Sequence, residues 1–147
     1  MPKTELTAAS AVSVMRALKA SFVVFSFLLI FLAYKLPSQS ASAAETIVEF
    51  AISAIALVDV ALGFFLPGYL MRQPVRPPRG NVQATPVQRW MTCTVLGLAF
   101  FESCNLFAFT LHLLGARTVV VGVLFAVGIC SMIVWDFGAP PADIPQH

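Results

Sequence analysis

Four long apolar stretches, each nearly free of charge, constrain this chain more than any other feature of its sequence. They cover about residues 20–36, 47–71, 90–114 and 118–136. A helix that crosses a bilayer needs roughly 20 mostly apolar residues. Only 11% of the 147 residues are charged, whereas soluble domains average about 25%. We therefore predict an all-α integral membrane protein with four transmembrane helices, and we exclude a free-standing soluble enzyme.

The connections between the stretches predict how the helices follow one another. Only Gly115, Ala116 and Arg117 separate the third stretch from the fourth, and so short a connection requires a tight antiparallel hairpin. We expect antiparallel hairpins to form a transmembrane domain over residues 20–137. A segment of residues 1–19 precedes this domain, and a tail of residues 138–147 follows it.

The basic residues predict the orientation of the helices. Seven of the nine lie before the first stretch or between the second and the third: Lys3, Arg16, Lys19, Arg72, Arg76, Arg79 and Arg89. Basic residues in short loops favour the cytoplasmic side. We therefore expect both termini and the loop of residues 72–89 on the cytoplasmic side of a cell membrane or an inner membrane.

Residues 1–43 have a second interpretation. A basic lead-in, a short apolar core and the sequence Ala41-Ser42-Ala43 are the parts of a cleavable signal peptide. Cleavage would leave three spans in the same orientation. Lys35 directly follows the apolar core, and this favours a first span that is retained.

The loop of residues 72–89 combines prolines and arginines with no acidic residue. Such a loop either supplies only the orientation signal, or it also binds anionic lipid headgroups, because juxtamembrane basic clusters are attracted to them. The residues concerned are Arg72, Gln73, Pro74, Arg76, Arg79 and Arg89. The net charge of the whole chain is only +2, so nucleic acid is not an expected partner.

Two carboxyl groups interrupt the apolar stretches. Asp59 and Glu102 each lie about 12 residues into their stretch from opposite sides, which places both about 18 Å deep at 1.5 Å per residue. Ionisable groups at this depth are costly and are therefore candidates for function. Since the apolar stretches contain no basic residue apart from Lys35 at the end of the first and a low dielectric favours the neutral carboxyl, we expect at least one of the two to be protonated. We predict a proton- or ion-binding site at Glu102 with Asp59 as its partner.

Asn105 and His112 extend the polarity of the third stretch along nearly one face. This polar stripe is expected to face protein, either as part of a proton relay or as hydrogen-bonding contacts between helices. His112 is also close enough to the end of its stretch to lie at the headgroups. Glu49, near the start of the second stretch, is expected at the interface as well.

No pattern in the sequence indicates catalysis, a metal site or a cofactor. The three cysteines, Cys93, Cys104 and Cys130, show no CxxC spacing, and the two histidines are far apart in the chain. We therefore predict neither an enzyme nor a bound metal or cofactor.

Two short motifs resemble the proteolipid c subunit of rotary ATP synthases. The sequence Arg72-Gln73-Pro74 resembles that family's cytoplasmic RQP loop, and residues 97–102, GLAFFE, resemble the GLAxxE of its proton-binding helix. The resemblance implies that Glu102 is the protonated carboxyl and Asp59 its polar partner. Bulky residues such as Ile52 stand where the family has glycines, so a c-like hairpin is implied rather than a rotary ring.

Two functions follow from these observations. The first is a structural or accessory subunit, whose helices pack against the lipid bilayer and against other membrane subunits or another copy of the chain. The second is a proton- or ion-handling membrane protein centred on Glu102 with Asp59.

Overall fold

A computed structural model describes residues 8–37, 45–73 and 85–141 of the chain. These residues form four α-helices, which are α1 (Ala8–Lys35), α2 (Glu45–Arg72), α3 (Pro86–Leu113) and α4 (Thr118–Val134). Over the described residues, the prediction of an all-α fold with four helices is confirmed. Helices α1, α2 and α3 are long and apolar enough to cross a membrane, whereas α4, with 17 residues, is shorter.

Several predicted features lie outside the described residues. They include Lys3, the candidate cleavage sequence at residues 41–43, most of the Pro/Arg-rich loop with Pro74, Arg76 and Arg79, and the end of the tail from residue 142. Of the loop of residues 72–89, the structure describes residues 72–73 and 85–89, which include three of the six predicted residues: Arg72, Gln73 and Arg89.

Helix α3 is the centre of the bundle. It packs against each of the other three helices, and α4 also contacts α1 and α2. Within the described part of the chain, α1 and α2 do not contact each other. Half of the most apolar part of α3 is buried, compared with 17% for α1 and for α2. Large apolar side chains consequently remain exposed mainly on the two outer helices.

No described residue of another helix covers the side of α3 between α1 and α2. Its exposed residues recur every three, four or seven positions, so they share one side of the helix. We call this side the open face, and its residues are Gln88, Thr92, Val95, Ala99, Leu106 and Thr110. The open face has small or apolar residues at its centre and polar residues towards both ends.

The start of α3 has a strong local signal in the sequence. Thr85 is the N-cap, its hydroxyl accepts a hydrogen bond from the backbone N–H of Gln88, and the Gln88 side chain accepts one from the backbone N–H of Thr85. Pro86 follows at the first helical position, where its missing N–H costs nothing. This capping box fixes where the central helix begins.

The end of α4 is held by side chains from α1 and α3. Lys19 Nζ donates hydrogen bonds to the carbonyl oxygens of Ile133 (3.1 Å) and Trp135 (2.9 Å) and lies 5.1 Å from the centre of the Phe137 ring. Trp90 Nε1 donates to the carbonyl oxygen of Phe137 at 3.0 Å. A cation at a helix C-terminus satisfies carbonyls that have no partner within the helix.

Two other helix ends are capped in the same way by α3. The Arg89 guanidinium donates to the carbonyl oxygens of Leu70 and of Gln73, the latter at 2.7 Å, at the end of α2. His112 Nε2 lies 3.1 Å from the carbonyl oxygen of Leu36, just beyond the end of α1. Polar residues at both ends of α3 therefore tie it to the ends of the two outer helices.

A buried carboxylate joins the start of α2 to the short connection before α4. Glu49 is 7% exposed. Its Oε1 atom accepts hydrogen bonds from Nε and NH2 of Arg117, both at 2.9 Å, and its Oε2 atom accepts one from the Arg117 backbone N–H at 3.3 Å. The carboxylate is thus buried but fully paired, as a buried charge has to be.

Replacement of Glu49 by glutamine is expected to weaken this contact. Glutamine keeps an acceptor oxygen but removes the charge that Arg117 faces, so we expect the free energy of unfolding to fall by about 1–3 kcal/mol. The measurement is reversible unfolding of the purified protein in mixed micelles. The matched control is Asp136→Asn, because Asp136 is exposed. An unchanged stability of the Glu49 variant would contradict the prediction.

Candidate functional site

A buried polar network links α1 and α3 at Glu102. The Ser26 hydroxyl lies 2.8 Å from Glu102 Oε2. Asn105 Nδ2 donates to Ser26 Oγ at 2.9 Å and lies 3.3 Å from Glu102 Oε2. Ser26 and Asn105 are fully buried, and Glu102 is 4% exposed. Three polar side chains in an otherwise apolar environment thus form hydrogen bonds with one another.

Two oxygen atoms of this network have no hydrogen-bond partner among the described residues. They are Glu102 Oε1 and Asn105 Oδ1, and both are buried. The Ser26 hydroxyl has one proton and two oxygen acceptors within reach, Glu102 Oε2 and the carbonyl oxygen of Phe22 at 2.9 Å. If that proton goes to Phe22, the carboxyl can bond to Ser26 only as a protonated donor, since a hydroxyl donates once.

Helix α4 also packs against this network. A Cβ atom added to Gly128 would lie 2.3 Å from Asn105 Oδ1, so only glycine allows α4 to approach the amide this closely. The Met132 sulfur atom lies 3.9 Å from Ser26 Oγ. Residues from α1, α3 and α4 therefore enclose the Glu102 carboxyl.

The second predicted carboxyl has a different partner. Asp59 on α2 is half-buried, and its Oδ2 atom lies 2.5 Å from the hydroxyl of Ser103 on α3. Ser103 Oγ is also 2.7 Å from the carbonyl oxygen of Phe100. Within the described part of the chain, the other Asp59 oxygen, Oδ1, forms no hydrogen bond.

The two carboxyls approach α3 from different sides. Glu102 and Ser103 are consecutive, so their side chains diverge by about 100° around the helix axis. Glu102 faces Ser26 of α1, and Ser103 faces Asp59 of α2. In the described residues, no hydrogen bond joins Asp59 to Glu102. Each of the two predicted carboxyls therefore forms a hydrogen bond with a different serine.

The remaining predicted residues occupy separate places. Of the polar stripe, Asn105 belongs to the Glu102 network, whereas His112 lies two turns further along α3 at the end of α1. Of the basic loop, Arg89 binds carbonyls at the end of α2, and the side chains of Arg72 and Gln73 are exposed.

The other potential metal ligands and the cysteines of the described residues lie apart from the two carboxyl contacts or pack as single side chains. No group of three histidine, cysteine, aspartate or glutamate side chains there is placed to hold a metal ion. All three cysteines are free, and Cys130 is exposed. Cys104 is buried, with its sulfur 3.5 Å from the carbonyl oxygen of Leu124, which is the behaviour of a small packed side chain.

Sequence reasoning overlooked both serines, although they are the closest partners of the carboxyls. Serine is common in membrane helices, where it bonds to its own backbone, and Ser26 does so with Phe22. One signal was present for Ser103, because it directly follows Glu102 at the depth predicted for Asp59. The contact between Ser26 and Glu102 depends on how α1 is oriented about its own axis. No local sequence pattern determines this orientation.

No protein-family model matches this chain, and neither a curated protein nor a solved structure is similar enough to count as a match.

Proposed function

We propose that the chain is a multi-pass membrane protein whose four helices cross the bilayer as antiparallel hairpins, with both termini on the cytoplasmic side. Contacts between helix ends support this arrangement. Arg89 at the start of α3 reaches the end of α2, and Glu49 at the start of α2 reaches Arg117 just before α4. Lys19 on α1 binds the end of α4, as expected if α4 returns to the side from which α1 enters.

In this membrane the protein acts as a structural or accessory subunit that packs against another membrane protein. The observation that carries this proposal is the open face of α3. The central helix of the bundle is covered on three sides, and α1 and α2 flank its fourth side without contacting each other. Ala99 lies at the middle of this face, and small residues in membrane helices allow another helix to approach closely.

The Glu102 network supports a structural role for that carboxyl. Glu102 is 4% exposed, and Ser26 and Asn105 use it as a shared partner between α1 and α3. Hydrogen bonds of this kind contribute about 0.6 kcal/mol each to the packing of membrane helices. An enclosed carboxyl that joins helices serves the assembly of the bundle.

A second candidate function is proton or ion handling at Glu102. The observation that favours it is Glu102 Oε1, which is buried without a partner among the described residues. A buried carboxyl oxygen without a donor is better tolerated on a neutral acid than on an anion. The local resemblance to the c subunit of rotary ATP synthases agrees with this candidate, and Asp59 would then be an accessory carboxyl.

Gentle extraction followed by native mass spectrometry tests the accessory role. We expect the 15.9-kDa chain in a complex whose mass includes at least one other membrane protein. We also expect Glu102→Gln to stay in that complex. Recovery of the chain only alone or as copies of itself would contradict the proposal.

Labelling with dicyclohexylcarbodiimide, which modifies protonated carboxyls in membranes, separates the two candidates. An enclosed structural carboxyl is expected to react slowly, at a rate that does not change with pH. Rapid labelling that is lost in Glu102→Gln and retained in Asp59→Asn would favour proton handling. Loss of pH-dependent proton uptake in Glu102→Gln, with assembly intact, would establish it.

A further inference from the structure

We infer that the open face of α3 binds a transmembrane helix of a different protein, and that this helix carries a lysine or arginine at the depth of Asp59. The inference rests on the accessory role proposed above and specifies the partner's chemistry. The observation behind it is that Asp59, whose Oδ1 atom has no hydrogen bond in the described part of the chain, lies at the edge of the open face.

The carboxyl of Asp59 is only partly satisfied. Its Oδ2 atom is bonded to Ser103, while its Oδ1 atom has no hydrogen bond in the described part of the chain. The buried side-chain oxygens without a hydrogen bond include Glu102 Oε1 but not Asp59 Oδ1, and Asp59 as a whole is half-buried. A group from outside the bundle can therefore reach it.

The contact with Ser103 places this carboxyl beside the open face. Ser103 lies one helical turn from Ala99 and one from Leu106, which are both exposed on that face. Residues three and four apart on a helix are neighbours on its surface. A helix lying along the open face would pass directly over Asp59.

The described residues supply no cation at this depth. Asp59 is 14 residues after Glu45 and 13 before Arg72, roughly 20 Å from either end of α2 at 1.5 Å per residue. Three basic side chains of α1 and α3 lie near the ends of the spans and have contacts there: Lys19 and Arg89 bind carbonyls, and Lys35 lies over the rings of Phe31 and Tyr34. The basic residue of α2, Arg72, lies at the end of that helix. Asp59 thus has no matching charge within the described residues, and we assign that charge to another molecule.

Charge complementarity indicates which kind of molecule binds the open face. Intramembrane acids pair with bases or with hydrogen-bond donors. A second copy of this chain would bring a second Asp59 and, in its described helices, no cation at that depth. Lipid headgroups stay near the surface of the bilayer. The polar ends of the face, with Gln88, Thr92 and Thr110, suit a helix that crosses the bilayer from one interface to the other.

A designed helix tests this inference without knowledge of the natural partner. The full-length protein, with a fluorophore at its C-terminus, is placed in lipid nanodiscs with a labelled transmembrane peptide of leucine and alanine. One peptide has lysine at its centre, and the matched peptide has leucine. We expect energy transfer to report binding of the lysine peptide about tenfold tighter, the size of a close charge pair.

Variants of the protein locate the contact. We expect Asp59→Asn to abolish the preference for lysine, while Glu102→Gln, which alters the enclosed carboxyl, retains it. Asparagine keeps an oxygen for Ser103, so the variant should fold. As a second variant, Ala99→Phe fills the exposed middle of the face, leaves Asp59 unchanged and is expected to weaken binding of both peptides.

Other outcomes would overturn the inference. Equal binding of the two peptides, or a lysine preference that persists in Asp59→Asn, would show that Asp59 does not select a cation. Energy transfer between two copies of the protein that is lost in Asp59→Asn would assign the face to self-association. If the native complex is found but the peptides bind equally, this inference fails while the accessory role stands. If the chain extracts alone but binds the lysine peptide selectively, the accessory role fails.

Discussion

Replacement of Gly128 by alanine is expected to destabilise the bundle, although alanine favours a helix more than glycine does. The added Cβ atom would lie 2.3 Å from Asn105 Oδ1. Asn105 cannot move aside freely, because its Nδ2 atom bonds to Ser26 and lies near Glu102. Either α4 moves outward or the network breaks, so we expect the free energy of unfolding to fall by about 1–3 kcal/mol.

The same helix offers a matched control. Gly122 has no atom within 4 Å of the position that a Cβ atom would occupy, and it is exposed. Gly122→Ala should leave the stability unchanged or raise it by up to about 1 kcal/mol, the intrinsic helix preference of alanine. Reversible unfolding in mixed micelles measures both variants. A Gly128 variant as stable as the Gly122 variant would show that α4 does not pack on Asn105 as described.

Replacement of Asn105 by aspartate is expected to have the larger effect. The two side chains have the same shape, but an oxygen replaces the Nδ2 donor. That oxygen would face Ser26 Oγ at 2.9 Å and Glu102 Oε2 at 3.3 Å. Two carboxyls would then share a buried site with one hydroxyl, and we expect the free energy of unfolding to fall by about 3 kcal/mol or more.

The pH dependence of this variant provides a second measurement. Protonation would return a donor to the position of Nδ2, so the folded variant should bind more protons than its unfolded form. Its stability should therefore rise towards acidic pH and approach that of the unmodified protein. A loss of stability that is the same at acidic and neutral pH would contradict this explanation.

The control for the amide-to-carboxylate change is Gln88→Glu, at the start of the same helix. Gln88 is exposed, and only its side-chain oxygen is used, as an acceptor for the backbone N–H of Thr85. Glutamate provides the same oxygen, and its charge is favourable at a helix N-terminus. We expect no loss of stability from this substitution.

The four helices could be predicted from the sequence because each corresponds to a long apolar stretch with few charges. The same apolar stretches made Asp59 and Glu102 stand out, because ionisable side chains are rare within them. Their partners could not be predicted, because depth follows from counting residues whereas direction depends on how each helix is rotated. A predicted pair at one depth became two separate contacts, since consecutive residues of α3 point towards different helices.

The basic residues illustrate a second limit. The sequence indicates a role in orientation for Lys19, and for Arg89 either this role alone or also the binding of anionic headgroups; a count of charges contains no more than that. In the structure both donate hydrogen bonds to the last carbonyls of another helix. These contacts join residues 16 or more positions apart, so no local pattern indicates them.

The central position of α3 would determine the order in which the helices associate during synthesis. Over the described residues, α1 and α2 contact α3 but not each other, and the ends of both are capped by α3 through His112 and Arg89. In the membrane arrangement proposed above, the first two helices would therefore enter the bilayer during synthesis without a contact between them. They become neighbours only when the third helix arrives, so a chain that stops after residue 73 would consist of two independent helices rather than half of a protein.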